Sequence, residues 1–218
     1  MVTSPSTLTS DRYSLAPIVD FCLPLRGNSF PADHNYGLYA ALVHLAPEFR
    51  EMPDLAIHTA AGLGDGQGVI RLAAYSHLTI RAPMQVAPVV YRLAGKTIRV
   101  GKHEVQLGIP KVSMLSPVAR LKARIVTIKA TEQTNTMEPE GFLKAAQRQL
   151  ERMSIKGNVN IPKDSKNQYI RKTLKIKTHT IVGFTTVIED LSEDDSLKLQ
   201  AQGLGGRRHM GCGFFLPA

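Results

Sequence analysis

The chain has 218 residues, 43% of them hydrophobic, enough for one core or for two small ones joined closely. Its 27 lysines and arginines exceed its 18 acidic residues for a formal charge of +9, and residues 111–218 carry +8 of that excess, which points to a polyanionic partner. No apolar run reaches membrane-spanning length, the first residues lack the charged and apolar regions of a secretory signal, and Cys22 and Cys212 alone make neither a disulfide framework nor a zinc site, so a soluble cytoplasmic protein is expected.

After a polar tail, IVDFCLPL sets Val19, Phe21, Leu23 and Leu25 on alternate positions, the period of a strand. Pro31 and Asp33 lead into a helix over HNYGLYAALVHLAPEF, with Asp33 as the expected N-cap, His34, Leu38, Leu42 and Leu45 on one stripe, and Pro47 as the stop. LAIHTA, the glycine turn of AGLGDGQGV and IRLAAYSHLTIRAP follow. A helix over MQVAPVVYRLAG needs a break or kink at Pro88, and TIRV, HEVQLGI and KVSML read as short strands.

The second half opens on VARLKARIVTIKA, a basic strand pattern. EPEGFLKAAQRQLERM is a helix with Phe142, Ala146 and Leu150 at spacings of four. KGNVNIP is a strand or a strand-like loop. YIRKTLKIKTHTIVGFTTVIED is extended, with a hairpin turn expected between His179 and Gly183. Ser192 and Asp195 form a capping box before DDSLKLQAQ, and GFFLP is the last strand. Both halves approximate β-α-β-β-α-β, so the expected fold is α+β with tandem ferredoxin-like (RRM-like) domains over residues 1–115 and 116–218. That layout hosts many functions and names none.

The positive charge is patterned. Arg120, Lys122 and Arg124 alternate along one strand; Arg171, Lys175, Lys177 and His179, with Lys172 beside them, lie on another. Such faces either line a phosphate backbone or form the solvated side of a sheet. Between the last helix and the last strand, Gly203 to Gly213 hold five glycines with Arg207 and Arg208. No Gly-Lys-Ser/Thr follows, which excludes a P-loop, and the order helix–loop–strand excludes a dinucleotide fingerprint. A turn required by tight packing and an anion-binding loop both fit. No inner strand carries the exposed aromatic pair of a general RNA-recognition module.

GLGGRRHMGCGFF resembles the C-terminal glycine-rich signature of the CRISPR-associated endoribonucleases that cut precursor CRISPR RNA within its repeats. Gly203, Leu204 and Gly205 match its first limb, Arg207 and Arg208 its basic interior, and Gly211, Cys212, Gly213, Phe214 and Phe215 its second. PADHNYGLYAAL resembles the segment in which such enzymes carry a histidine near the first helix. The resemblance implies cleavage without metal or other cofactor: the ribose 2′-hydroxyl attacks the adjacent phosphorus and leaves a 5′-hydroxyl and a 2′,3′-cyclic phosphate or 3′-phosphate. That chemistry needs a base, an acid and a cation.

His34 is then the leading catalytic candidate, kept neutral by the positive end of its helix, and His44 its rival deeper in the same helix. Tyr36 and Tyr39 are site or packing residues, and Lys175 is a candidate for the transition-state phosphate. His58, His77 and His103 read as structural. RNA contact is expected from Arg120, Lys122, Arg124, Arg171, Lys172, Lys175, Lys177, His179, Gly205, Gly206, Arg207, Arg208, His209 and Gly211. The implied partners are CRISPR repeat RNA, the mature guide RNA and other subunits of a multisubunit CRISPR effector complex, transposon-associated versions included; the isolated protein is expected to be a monomer. A non-catalytic CRISPR-RNA scaffold and a general tandem RRM-like RNA-binding protein are the alternatives.

Overall fold

The computed structural model describes residues 16–130 and 138–218, so the polar tail lies outside the described residues. β1 (Ile18–Arg26) buries Val19, Phe21, Leu23 and Leu25 and turns the residues between them outward, as its alternation dictates. β2 (Ser29–Pro31) leads to α1 (Asn35–Leu45), and a 3₁₀ turn, Pro47–Glu51, follows at the expected proline stop. Asp33 does not cap α1. His34 occupies the N-cap position, because its ring is engaged with backbone on both sides and fixes the helix start one residue later.

β3 (Ala56–His58), β4 (Leu63–Gly64), β5 (Val69–Arg71) and β6 (His77–Pro83) come next. The GLGDGQG turn is tied by Asp65, whose Oδ1 accepts from the N–H groups of Gln67 and Val69. The expected second helix shrinks to a 3₁₀ turn, Met84–Val86, and α2 (Ala87–Tyr91), where Pro88 sits in the first turn and no kink is needed. β7 (Thr97–Val100), β8 (His103–Leu107) and β9 (Lys111–Met114) complete the first half. All pairings are antiparallel. β1 lies between β6, itself flanked by β3, and an opposite edge shared by β9 along Val19–Cys22 and β8 at Leu25–Arg26. β2, β5 and β4 form a separate small sheet. α1 places Leu38, Leu42 and Val43 in a core with the β1 and β6 side chains.

The second half runs β10 (Leu121–Val126), α3 (Pro139–Arg152), β11 (Asn158–Asn160), β12 (Arg171–Ile176), β13 (His179–Glu189), α4 (Glu193–Gln202) and β14 (Phe215–Pro217). Its sheet order is β11-β13-β10-β14, with β12 paired to the start of β13; the first half repeats that order as β3-β6-β1-β9. Phe142, Ala146 and Leu150 of α3 and Leu199 of α4 pack on Leu121, Ala123, Phe184 and Phe215 in a second core. Ser192 caps α4 as expected: its hydroxyl accepts from Asp195 N–H and donates to the Asp195 carboxylate. The β12–β13 turn falls at Lys177–Thr178 rather than beyond His179, because Ile176 pairs directly with His179 and Lys177 takes the left-handed conformation. Between Ala123 and Val126 the register on β13 slips by one residue, a bulge that sends Val126 to the main core and Ile125 to a satellite cluster with Leu174 and Cys212.

Arg81 on β6 joins the halves. Its buried guanidinium pairs with both carboxylate oxygens of Asp20 at 2.7 and 2.8 Å, donates to Gln200 O and Phe215 O, and lies 4.1 Å from the Phe214 ring centroid. Those partners come from β1, α4 and the last strand segment. The halves are therefore fixed against each other by a charge that water does not reach.

Candidate active site

His34 is 3% exposed, at the point where β2 gives way to α1. Its Nδ1 lies 2.5 Å from Pro31 O and its Nε2 accepts from Ala60 N–H at 3.0 Å. A backbone carbonyl on one nitrogen and an amide on the other fix the neutral tautomer with the proton on Nδ1. Burial, with a smaller push from the charge of Arg124, lowers its pKa to about 4 against the opposing hydrogen bond to Pro31 O. The ring is neutral as expected, but in this arrangement both nitrogens serve the fold, and Phe30 packs at 4.9 Å.

The next residue, Asn35, is the link that sequence reasoning missed. Its Nδ2 donates to Met210 O of the glycine-rich segment at 2.6 Å, and its Oδ1 accepts from Arg124 of β10 at 3.3 Å. Gly211 packs against Thr59 and Asn35, where a β carbon would stand 2.8 Å from Thr59 Cγ2. The Tyr39 and His209 rings meet at 4.4 Å. The start of α1, the end of β3 and the glycine-rich segment thus form one junction, while Tyr36 is partly buried beside it on α1. His44 is exposed in the last turn of that helix, about 14 Å along the axis from Asn35; the fold does not bring it to the junction.

The glycine-rich segment is built first for the protein's own backbone. Gly205 N–H donates to Gln149 Oε1, and Gly206 N–H donates to Thr127 O. Gly213 has φ +63° and lies so close to Leu204 that an added β carbon would be 2.0 Å from its carbonyl oxygen. Arg208 turns inward and donates to Ala201 O in the last turn of α4, a helix C-terminus that favours a cation, with burial lowering its pKa to about 10. Arg207, in the left-handed conformation, is partly exposed. Both arginines keep partial exposure, Arg208 with one guanidinium nitrogen tied to Ala201 O.

Beside this junction lies an open cleft of about 380 Å³ lined by Lys122, Arg124, Ile170, Lys172, Thr185, Leu216 and Pro217 of the second half and His58 of the first. Three cations face it and, among the described residues, no carboxylate does. Thr185 Oγ1 donates to Arg124 O, and the ring of His58 packs 5.1 Å from that of Phe214. Burial, then the charge of Arg124, lowers the His58 pKa to about 4. One signal could have found this histidine: in LAIHTA it alternates with Ile57, which faces the core. The remaining basic residues lie outside the cleft. Arg120 pairs with Glu189 at 2.9 Å, Arg171 reaches Glu138 at 4.0 Å and stacks over Phe184, and Lys175, Lys177 and His179 are exposed along and beyond the β12–β13 turn. Among the described residues no group of three or more His, Cys, Asp or Glu could hold a metal, and no helix is long and apolar enough to cross a membrane.

The fold is thus mixed α+β, with curled antiparallel sheets typical of a double ferredoxin-like architecture, and the cleft beside the junction is cationic. The family model described as Cas6 Crispr matches residues 19–218. A CRISPR-associated endonuclease Cas6 of Myxococcus xanthus (strain DK1622) is 31% identical over 204 residues, covering 94% of this chain and 83% of its own length. Among solved structures, a Cas6-related protein from Pyrococcus furiosus is similar with a TM-score of 0.63 at 15% identity, over 93% of this chain and 98% of its own. A RAMP protein described as binding different RNA substrates gives 0.64 at 14%, over 92% and 99%. The chain belongs to the Cas6/Cse3 family of CRISPR endoribonucleases, the group that processes precursor CRISPR RNA. Members of this family bind CRISPR RNA and act within CRISPR complexes.

Proposed function

We propose that the protein cuts precursor CRISPR RNA inside each repeat without a metal, through attack of the 2′-hydroxyl on the adjacent phosphorus. The products are a 5′-hydroxyl and a 2′,3′-cyclic phosphate or 3′-phosphate. The observation that carries this reading is the cleft where Lys122, Arg124 and Lys172 converge: cations offset the charge that builds on the non-bridging oxygens. The shared strand order of the two halves supports two RRM-like units over residues 1–115 and 116–218, with the RNA crossing between them. Arg207, Gly206, Lys175, Lys177 and His179 extend the RNA path outward. The protein then keeps the processed guide and carries it, in the cytoplasm, into a multisubunit effector complex.

His34 is the histidine of the matching segment and belongs to this machinery; His44 does not. With chelator present and enzyme saturating, the wild-type protein should cut a repeat RNA at one site and leave a 5′-hydroxyl on the downstream product. A 2′-deoxy substitution at that site should stop the reaction. His34→Ala should slow it by roughly 10²-fold with RNA binding near normal, while His44→Ala should cut like wild type. Cleavage that requires added divalent metal, or that survives the 2′-deoxy substitution, would sink the reading.

A further inference from the structure

His58 closes β3 on the side away from the first core and, among the described residues, is the one residue of the first half that lines the basic cleft. It has what a proton acceptor needs and what His34 lacks. Neither of its ring nitrogens has a hydrogen-bond partner among the described residues, whereas those of His34 are held by Pro31 O and Ala60 N–H. The ring does not swing freely, because Phe214 packs against it at 5.1 Å and Phe214 is itself pinned under Arg81. A phosphodiester drawn to Lys122, Arg124 and Lys172 would lie alongside that ring. Ala60, which His34 holds, is two residues beyond His58.

We propose that His58 is a catalytic residue of the cleavage reaction, the base that takes the 2′-hydroxyl proton, and that His34 is a positioning residue acting through Ala60 on the segment that carries it. The step balances without redox chemistry. The imidazole lone pair takes the proton as the O2′–P bond forms; the P–O5′ bond breaks, the 5′-oxygen takes a proton from water, and the imidazolium returns its own to water. Burial beside Arg124 keeps the resting ring unprotonated. The phosphate's negative charge then offsets the cations that would oppose its protonation. This assignment rests on the 2′-hydroxyl reaction proposed above.

The test is single-turnover cleavage of a repeat RNA by the full chain in chelator at saturating enzyme. His58→Ala and His58→Gln should each lose roughly 10²-fold in rate while binding uncleaved RNA like wild type, and free imidazole should restore part of the rate to His58→Ala. His34→Gln, whose amide oxygen can still accept from Ala60 N–H, should recover part of the rate that His34→Ala loses. Wild-type rate in both His58 variants would overturn the assignment. So would a loss confined to RNA affinity, or His34→Ala being rescued by imidazole and not by glutamine. Absence of metal-free cleavage by the wild-type protein would be a different failure, removing the reaction and this assignment with it.

Discussion

Two neutral imidazoles at the junction couple folding to pH. A histidine titrates near 6.5 in the unfolded chain, and burial brings His34 down to about 4 in the folded one. Between those values the unfolded state holds the proton and the native state does not. Stability is therefore full above the unfolded value and is lost as pH falls toward 4. At about 1.4 kcal/mol per pH unit, His34 alone accounts for a loss on the order of 3 kcal/mol, and His58 acts in the same direction. The urea midpoint should drop between pH 7.5 and pH 4.5, and His34→Gln should flatten the drop; parallel slopes in the two proteins would contradict the coupling. The segment around His34 was legible in the sequence, whereas the burial that keeps its ring neutral was not. Nor was the ring's engagement by Pro31 and Ala60, because the second contact comes from the segment after β3, 26 residues away.

At the scale of elements, legibility follows the range of the deciding contact. The β1 alternation, the four-residue spacing of α3 and the Ser192 cap are set within a turn or a strand, and the sequence displays all three. Contacts that cross the chain are invisible there: Arg208 bends back onto α4, Asn35 reaches Met210, and His58 looks out of the first half into the second. The glycine-rich segment shows the difference most plainly, since its composition suits an RNA backbone and a protein backbone equally. Gly213→Ala adds a β carbon 2.0 Å from Leu204 O at φ +63°, which should cost about 3 kcal/mol or more. Gly66 also has positive φ, +74°, but nothing lies within 4 Å of its β position, so Gly66→Ala should cost only about 1 kcal/mol. Chemical denaturation of the two variants measures the contrast, and equal losses would mean that backbone conformation alone governs the segment.

For the molecule as a whole, Arg81 decides how the halves stay together. Arg81→Met should cost about 3–5 kcal/mol, the scale for removing one partner of a buried pair, because Asp20 is left without its cation and two carbonyls lose a donor. Adding Asp20→Asn should recover part of that loss in urea denaturation; an additive double variant would show that the ion pair is not the source. The same residue also sets an order in time. During synthesis Gln200 appears 119 positions after Arg81, and Phe215 134 positions after it. Through that interval the emerging first half carries a guanidinium with one partner ready and two still unmade, and His58 faces a wall that does not yet exist. The cleft comes into being only when the β14 strand docks beside β10, because Leu216 and Pro217 form part of its wall.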